Sequence, residues 1–284
     1  MRFNDIGQQL RAYRLESGLR AEEIAARLGV SRAALYRYEK GEVIKLDTIK
    51  RLAELLNISP LSLLGIGVEY YNRPVGYLER IRQIEETADQ ILQVDGPMSY
   101  LITSDRYDAV LADAFVEAAA QAGEDRTAQR GMTDQVLGIL AARKRMYAQR
   151  HPGIICIASL GPLEQFLEKG IAGSLPLSEG LRRQCRIVAA AELENIAALM
   201  EAEPMGLQFG LLLATEPSSS FSILRSRDHA SLVVNPFRPD ASPAAAAGVT
   251  MITGADEAVA AHQRVAETQW RESVKGAAAA ARVR

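Results

Sequence analysis

Residues 21–41 read AEEIAARLGVSRAALYRYEKG. Ala25 and Gly29 stand four positions apart, and Ile24, Leu28, Val30 and Leu35 supply apolar contacts around them. Ser31 falls where a helix N-cap belongs, with a hydroxyl able to accept from backbone N–H groups one turn on. The pattern predicts two helices crossing steeply through a short turn. Ala25 lets the second helix approach, Gly29 permits the turn backbone and Leu35 fills the gap between them.

The same logic extends outward in both directions. Ile6, Leu10, Tyr13 and Leu15 mark the buried stripe of a first helix that stops at Ser17-Gly18. Asp47 is expected to cap a fourth helix with Ile49, Leu52, Ala53, Leu55 and Leu56 inward, and Asn57-Ile58-Ser59-Pro60-Leu61 leads into a short fifth. Taken together, Ser17-Gly18-Leu19, Glu23-Ile24-Ala25, Leu28-Gly29-Val30-Ser31 and Glu39-Lys40-Gly41 resemble the Cro-type, or Xre-type, helix-turn-helix of bacterial and phage repressors. The resemblance covers the head alone. An amphipathic helical hairpin with no DNA role is the competing reading of the pattern.

The resemblance implies an all-α head of five short helices that binds a double-stranded DNA operator. Its second motif helix, about Arg32 to Lys40, would lie in the major groove with its N-terminal end over base edges. Leu35 and Tyr38 then face the core and leave Arg32, Ala33, Tyr36 and Arg37 outward. By the resemblance, Arg32 and Arg37 match positions that read bases or flanking phosphates. The arginine fork suits both, pairing with guanine O6 and N7 or with phosphate. Ala33 fits a thymine methyl, and Ser31 sits at the helix start. Arg37 paired with Glu39 or solvent is the plainer alternative. Arg20, Lys40, Lys45 and Lys50 are candidates for phosphate neutralisation. The chain departs from the family at Arg20-Ala21, where many members carry Thr-Gln, a capping hydroxyl and a phosphate-binding amide.

Net charge gives no such hint until it is divided. The chain has 284 residues, 33 basic and 35 acidic, with a formal net charge of -2. Residues 1–66 hold 3 Lys and 8 Arg against 8 acids, net +3, and the remainder holds 22 basic and 27 acidic residues, net -5. A small basic head on a larger acidic body is the expectation. At 48% hydrophobic and 24% charged, the composition is that of a globular chain, and the length predicts more than one domain. No apolar run is long enough to span a bilayer, and MRFNDIGQQLRAYR lacks the apolar core of a signal peptide, so a cytoplasmic location is expected. Cys156 and Cys185 lie far apart in apolar settings and read as buried reduced thiols.

Residues 67–96 read as a helical connector. Tyr77, Ile81, Ile84, Ala88 and Ile91 follow spacings of 4, 3, 4 and 3, between Pro74 and the stop Asp95-Gly96-Pro97. The stripe fits a dimerisation seam or a helix packed on its own domain. A homodimer is expected in either case, because one recognition helix contacts few base pairs.

Residues 97–275 are expected to form an α/β or α+β domain, and 276–284, KGAAAAARVR without its lysine, a frayed tail. Strands are predicted at 98–103, 153–159, from 207, from 221, from 230 and at VTMIT. Helices are predicted over Asp105–Ala122, Thr133–Arg150, Pro162 to Gly170, from Ser178 (the longest) and over Ala255–Arg271, with a Pro/Ala loop from Arg238 to Gly248. His151, His229 and His262 show no metal spacing, and GxSxG and GxxxxGK[ST] are missing. The body loosely resembles phospholipase-D-like effector domains but lacks their HxKxxxxD motif, so neither catalysis nor a cofactor is expected. A small-molecule effector is the preferred reading of so large a body. Candidate contacts are Ser104, Asp105, Ser159, Gln208, Arg225 and Arg227, with Tyr100, Phe209 and Trp270 as walls; the arginines would favour a carboxylate. The alternatives are a body that only oligomerises or binds a partner protein, and an enzyme targeted to DNA.

Overall fold

The computed structural model describes residues 3–94, 96–121, 126–214, 217–243 and 248–284. Asp95, Ala122 and residues 244–247 of the Pro/Ala loop lie outside the described residues.

Five helices form the head: α1 (Phe3–Ser17), α2 (Ala21–Leu28), α3 (Arg32–Glu39), α4 (Leu46–Leu56) and α5 (Pro60–Leu63). Leu10, Ile24, Leu35 and Leu52 are fully buried at their centre. Gly29 adopts the left-handed conformation, φ 71°, that ends α2 and turns the chain into α3. Gly7 is another glycine the packing demands. A Cβ there would stand 2.5 Å from the Tyr38 carbonyl oxygen and 2.7 Å from that of Glu39, so α1 and the end of α3 touch backbone to backbone. Lys45, not Asp47, occupies the N-cap of α4; Asp47 lies in the first turn, where its charge complements the helix dipole.

The body is built on a seven-stranded mixed sheet: β1 (Val68–Tyr71), β2 (Gln90–Val94), β3 (Gly153–Ser159), β4 (Leu207–Leu212), β5 (Phe221–Arg225), β6 (Ala230–Val234) and β7 (Thr250–Thr253). Its spatial order is β1-β7-β6-β5-β2-β3-β4. β2, β3 and β4 run parallel, and every other neighbouring pair is antiparallel. Parallel neighbours need long crossovers. α7 (Asp105–Ala120) and α8 (Arg126–Arg150) make the first, α9 (Leu160–Lys169) and α10 (Glu179–Ala202) the second. One sheet face shares a continuous apolar core with these helices and with the head. The other face packs against α11 (Asp256–Glu272).

Four expectations are corrected. The connector is not one helix: α6 (Pro74–Glu85) ends ten residues before Asp95, and Ile91 belongs to β2. Ile91, Leu92 and Val94 are buried from both sides, which is how a central strand reads. Tyr77, Ile81, Ala88 and Ile91 pack inside the chain's own core and leave no free seam. Residues 98–103 contain a 3₁₀ turn at Tyr100–Ile102 in place of a strand. KGAAAAARVR is not frayed but forms α12 (Gly276–Val283) against α10, with Ala279 and Ala280 fully buried and Arg284 paired with Glu194 and Glu201. At 25 residues α8 exceeds α10, so the helix from Ser178 is not the longest.

Head and body meet along α1 and α6. α6 is buried on nearly all sides. A Cβ on Gly76 would lie 2.7 Å from Glu16 Cβ, so the helices approach as only glycine permits. Glu16 accepts from the backbone N–H groups of Asn72 (2.6 Å) and Arg73 (3.0 Å), and Tyr13 stacks on Tyr71 at 5.4 Å. Gln9 donates to Glu69 (2.6 Å), which also takes Arg80 (2.8 Å) and the Tyr71 hydroxyl (2.8 Å).

Candidate nucleic-acid interface

The candidate recognition helix, α3, is held from three sides. Ser31 caps it, its hydroxyl accepting from Ala34 N–H at 3.1 Å. Leu35 anchors its inner face, with Tyr38 half-buried beside it. At its end the buried Glu39 takes two hydrogen bonds from Arg14 of α1, at 2.5 and 3.1 Å, so Arg14 and not Arg37 is the partner of Glu39.

What remains outward is polar and basic. Ser31, Arg32, Ala33, Arg37 and Lys40 are exposed, and Tyr36 is half-buried. Each arginine is already engaged. Arg32 pairs with Glu22 of α2 at 2.7 Å, donates to the Tyr36 hydroxyl at 3.2 Å and lies 5.3 Å from the Tyr36 ring centre. Arg37 pairs with Glu42 at 3.0 Å. These are exposed, rearrangeable pairs that hold the guanidinium groups without neutralising them irreversibly. Lys45 and Lys50 are exposed at the start of α4, and neither has an ion-pair partner among the described residues.

Arg20 explains how α2 starts without the usual hydroxyl cap. The Glu23 carboxylate accepts from the Arg20 backbone N–H at 2.9 Å and from its guanidinium at 3.0 Å. One half of a capping box is therefore present. Those bonds lower the Glu23 pKa, the backbone one foremost.

The candidate effector residues are dispersed. Ser104 caps α7 and donates to the buried Glu192 of α10, and Asp105 is exposed beside it. Ser159 is buried at the end of β3. Gln208 and Trp270 meet in a shallow groove of about 320 Å³ on the α11 side, and Arg225 donates to Gln263, which borders that groove. Arg227 is exposed in a turn, and Phe209 is buried in β4.

Gln208, Phe209 and Trp270 also border a cavity of about 420 Å³ at the start of β4, and of the proposed walls Tyr100 alone borders another, about 370 Å³, beyond the carboxyl ends of β2 and β3. Tyr77, Gln93, Tyr107, Phe166, Ser222 and Phe237 also line it. Two charge pairs stand in its wall. Buried Arg143 donates both arms to buried Glu85 at 2.8 Å, and Arg238 donates to Asp240 at 2.8 and 2.9 Å. Burial would lower the Arg143 pKa, but the Glu85 carboxylate outweighs it and keeps the guanidinium charged. One sequence signal for this site was available: Arg143 continues the stripe of Val136, Ile139 and Leu140 into the core, where an unpaired arginine would not be tolerated. Among the described residues no cluster of His, Cys, Asp and Glu could hold a metal, and no helix is long and apolar enough to cross a membrane.

Residues 10–63 match the helix-turn-helix family model. No curated protein and no solved structure matches the chain. The head is a helix-turn-helix domain, which supports DNA binding and a role in transcription regulation, while the likeness of the body to phospholipase-D-like domains finds no support in these comparisons.

Proposed function

We propose that this chain is an Xre-type transcriptional regulator that binds a double-stranded operator as a two-fold dimer and senses a small molecule through its body. The observation that carries the proposal is α3, capped by Ser31 and anchored by Leu35 and Glu39, with Arg32, Ala33, Tyr36 and Arg37 turned outward. Arg32 reads a base edge, and Arg20, Lys40 and Lys45 neutralise phosphate. Arg32→Ala is expected to reduce discrimination between selected and random duplexes by about 1 to 3 kcal/mol. Equal loss on both duplexes, measured by fluorescence anisotropy, would make Arg32 a phosphate contact instead.

A second reading, in which the body serves only to assemble, draws on the free edge of the sheet. β1 is the terminal strand, and Tyr70 and Val249 are exposed beside it. Light scattering at micromolar concentration is expected to give twice the chain mass, and a monomer would remove dimerisation from the proposal. Multiple turnover of a phosphodiester or acyl substrate by the purified protein would favour a DNA-targeted enzyme over both readings.

A further inference from the structure

From the cavity beyond β2 and β3 we infer that the body binds an uncharged, planar small molecule bearing an amide-like edge, and that Tyr77 couples its occupancy to the head. The inference rests on the sensing reading and gives it a ligand class. At about 370 Å³ the cavity falls at the small end of ligand pockets, which span roughly 300 to 1,000 Å³.

Strand register builds its floor. Gln93 of β2 faces Ser222 of β5 on one side and Cys156 of β3 on the other, so three short polar side chains form one row across the sheet. The Ser222 hydroxyl and the Gln93 amide nitrogen have no protein partner among the described residues, and neither do the hydroxyls of Tyr77 and Tyr107 above them. Tyr77, Tyr107 and Ser222 are all more than nine-tenths buried. None of these polar atoms is sealed from solvent, so each opens on the cavity, where a ligand can take the place of water.

Every one of these groups is neutral. Burial pushes the phenols of Tyr77 and Tyr107 up, and the Cys156 thiol up to about 12. The charged groups in the wall cancel pairwise, Arg143 with Glu85 and Arg238 with Asp240. An anion or a cation entering here would lose its hydration and meet no net opposite charge. A neutral ligand avoids that cost. Gln93 offers a donor and an acceptor side by side, the complement of an amide or lactam edge. Phe166 and Phe237, with the tyrosine rings, provide flat apolar walls.

Tyr77 connects this site to DNA binding because it sits on α6. From the same helix, Gly76 abuts Glu16, Glu79 pairs with Arg11 at 2.8 Å, and Gln83 donates to the Gln8 carbonyl at 3.1 Å, all on α1. A ligand that engages Tyr77 therefore biases the helix on which the head is seated.

The test uses the full chain and matched fragments: benzamide, benzoate and benzylamine; nicotinamide and nicotinate; quinolin-2-one and quinoline-2-carboxylate. Saturation-transfer NMR is expected to detect the neutral members. Their binding should be abolished by Ser222→Phe, which fills the cavity, and weakened about tenfold by Gln93→Leu, which keeps the volume but removes the polar edge. Charged members that bind as well as their neutral twins, neutral signals insensitive to both substitutions, or no binding by any member would overturn the ligand class. The sensing reading is judged separately by anisotropy on a duplex selected from a random library. Unchanged DNA affinity with a neutral fragment bound overturns sensing while the ligand class stands.

Discussion

Arg32 illustrates how an exposed guanidinium on α3 is held in place. Its bond to Glu22 at 2.7 Å lies across the turn between α2 and α3, and the guanidinium rests near the Tyr36 ring. For the proposed contact with a base or phosphate it must leave Glu22, and an exposed pair of this kind is weak. Glu22→Gln is therefore expected to tighten duplex binding roughly two- to fivefold. Because Glu22 also repels phosphate through space, the decisive measurement is a double-mutant cycle by anisotropy. The gain should shrink in an Arg32→Ala background, and an undiminished gain would show that the pair does not restrain Arg32. At this scale much was legible from sequence. Gly29 and Ser31 act on residues within one turn of themselves, so local spacing announced the left-handed turn and the cap. Glu39 did not announce its partner, since Arg14 lies 25 positions away on another helix. Likewise Tyr77, Gln93, Tyr107 and Ser222 come from separate parts of the chain, and strand register, which local pattern does not specify, places Gln93 opposite Ser222.

Among the elements, α6 carries the most unusual burden, because charged residues lie between two packed helices. Burial alone would raise the Glu79 pKa, but the Arg82 hydrogen bonds and the charges of Arg11 and Arg82 more than offset it and hold the carboxyl below the usual glutamate range. Its stabilising contribution is full above the ordinary glutamate pKa of about 4.3 and is lost as pH falls through its own lower value. Glu16 across the interface has the opposite sign. Burial raises its pKa despite the Asn72 and Arg73 backbone bonds, so its penalty at neutral pH is relieved as pH falls through that raised value. Glu79→Gln is expected to flatten the acid limb of stability below about pH 4.3 in chemical denaturation, and an unaltered limb would contradict this account. The stripe on α6 was visible in sequence, but its continuation through Ala88 and Ile91 imitated helix periodicity across what is a turn and a buried strand. The alanine run of α12 misled in another way. Small side chains bury little individually, yet Ala279 and Ala280 let the helix settle closely on α10.

For the molecule as a whole, the division of charge separates a basic head from an acidic body but says nothing of how they join. A single apolar core runs from Leu10 and Leu52 of the head through Tyr71 and Leu78 to Leu140 of the body. Scanning calorimetry is accordingly expected to show one unfolding transition, and a separate smaller transition for the head would argue against so continuous a core. The seating of the head also bears on how operators can be arranged. The chain leaves α5 and within a few residues enters β1, which is laddered to β7 from Val68 to Tyr71. Turning the head independently would strip a strand from the sheet as well as break the α1 contacts. In a dimer the two recognition helices would thus be spaced by the bodies themselves. Such an assembly measures DNA with a stiff ruler: inserting a base pair between half-sites would rotate one of them away from its helix, with no slack in the protein to follow.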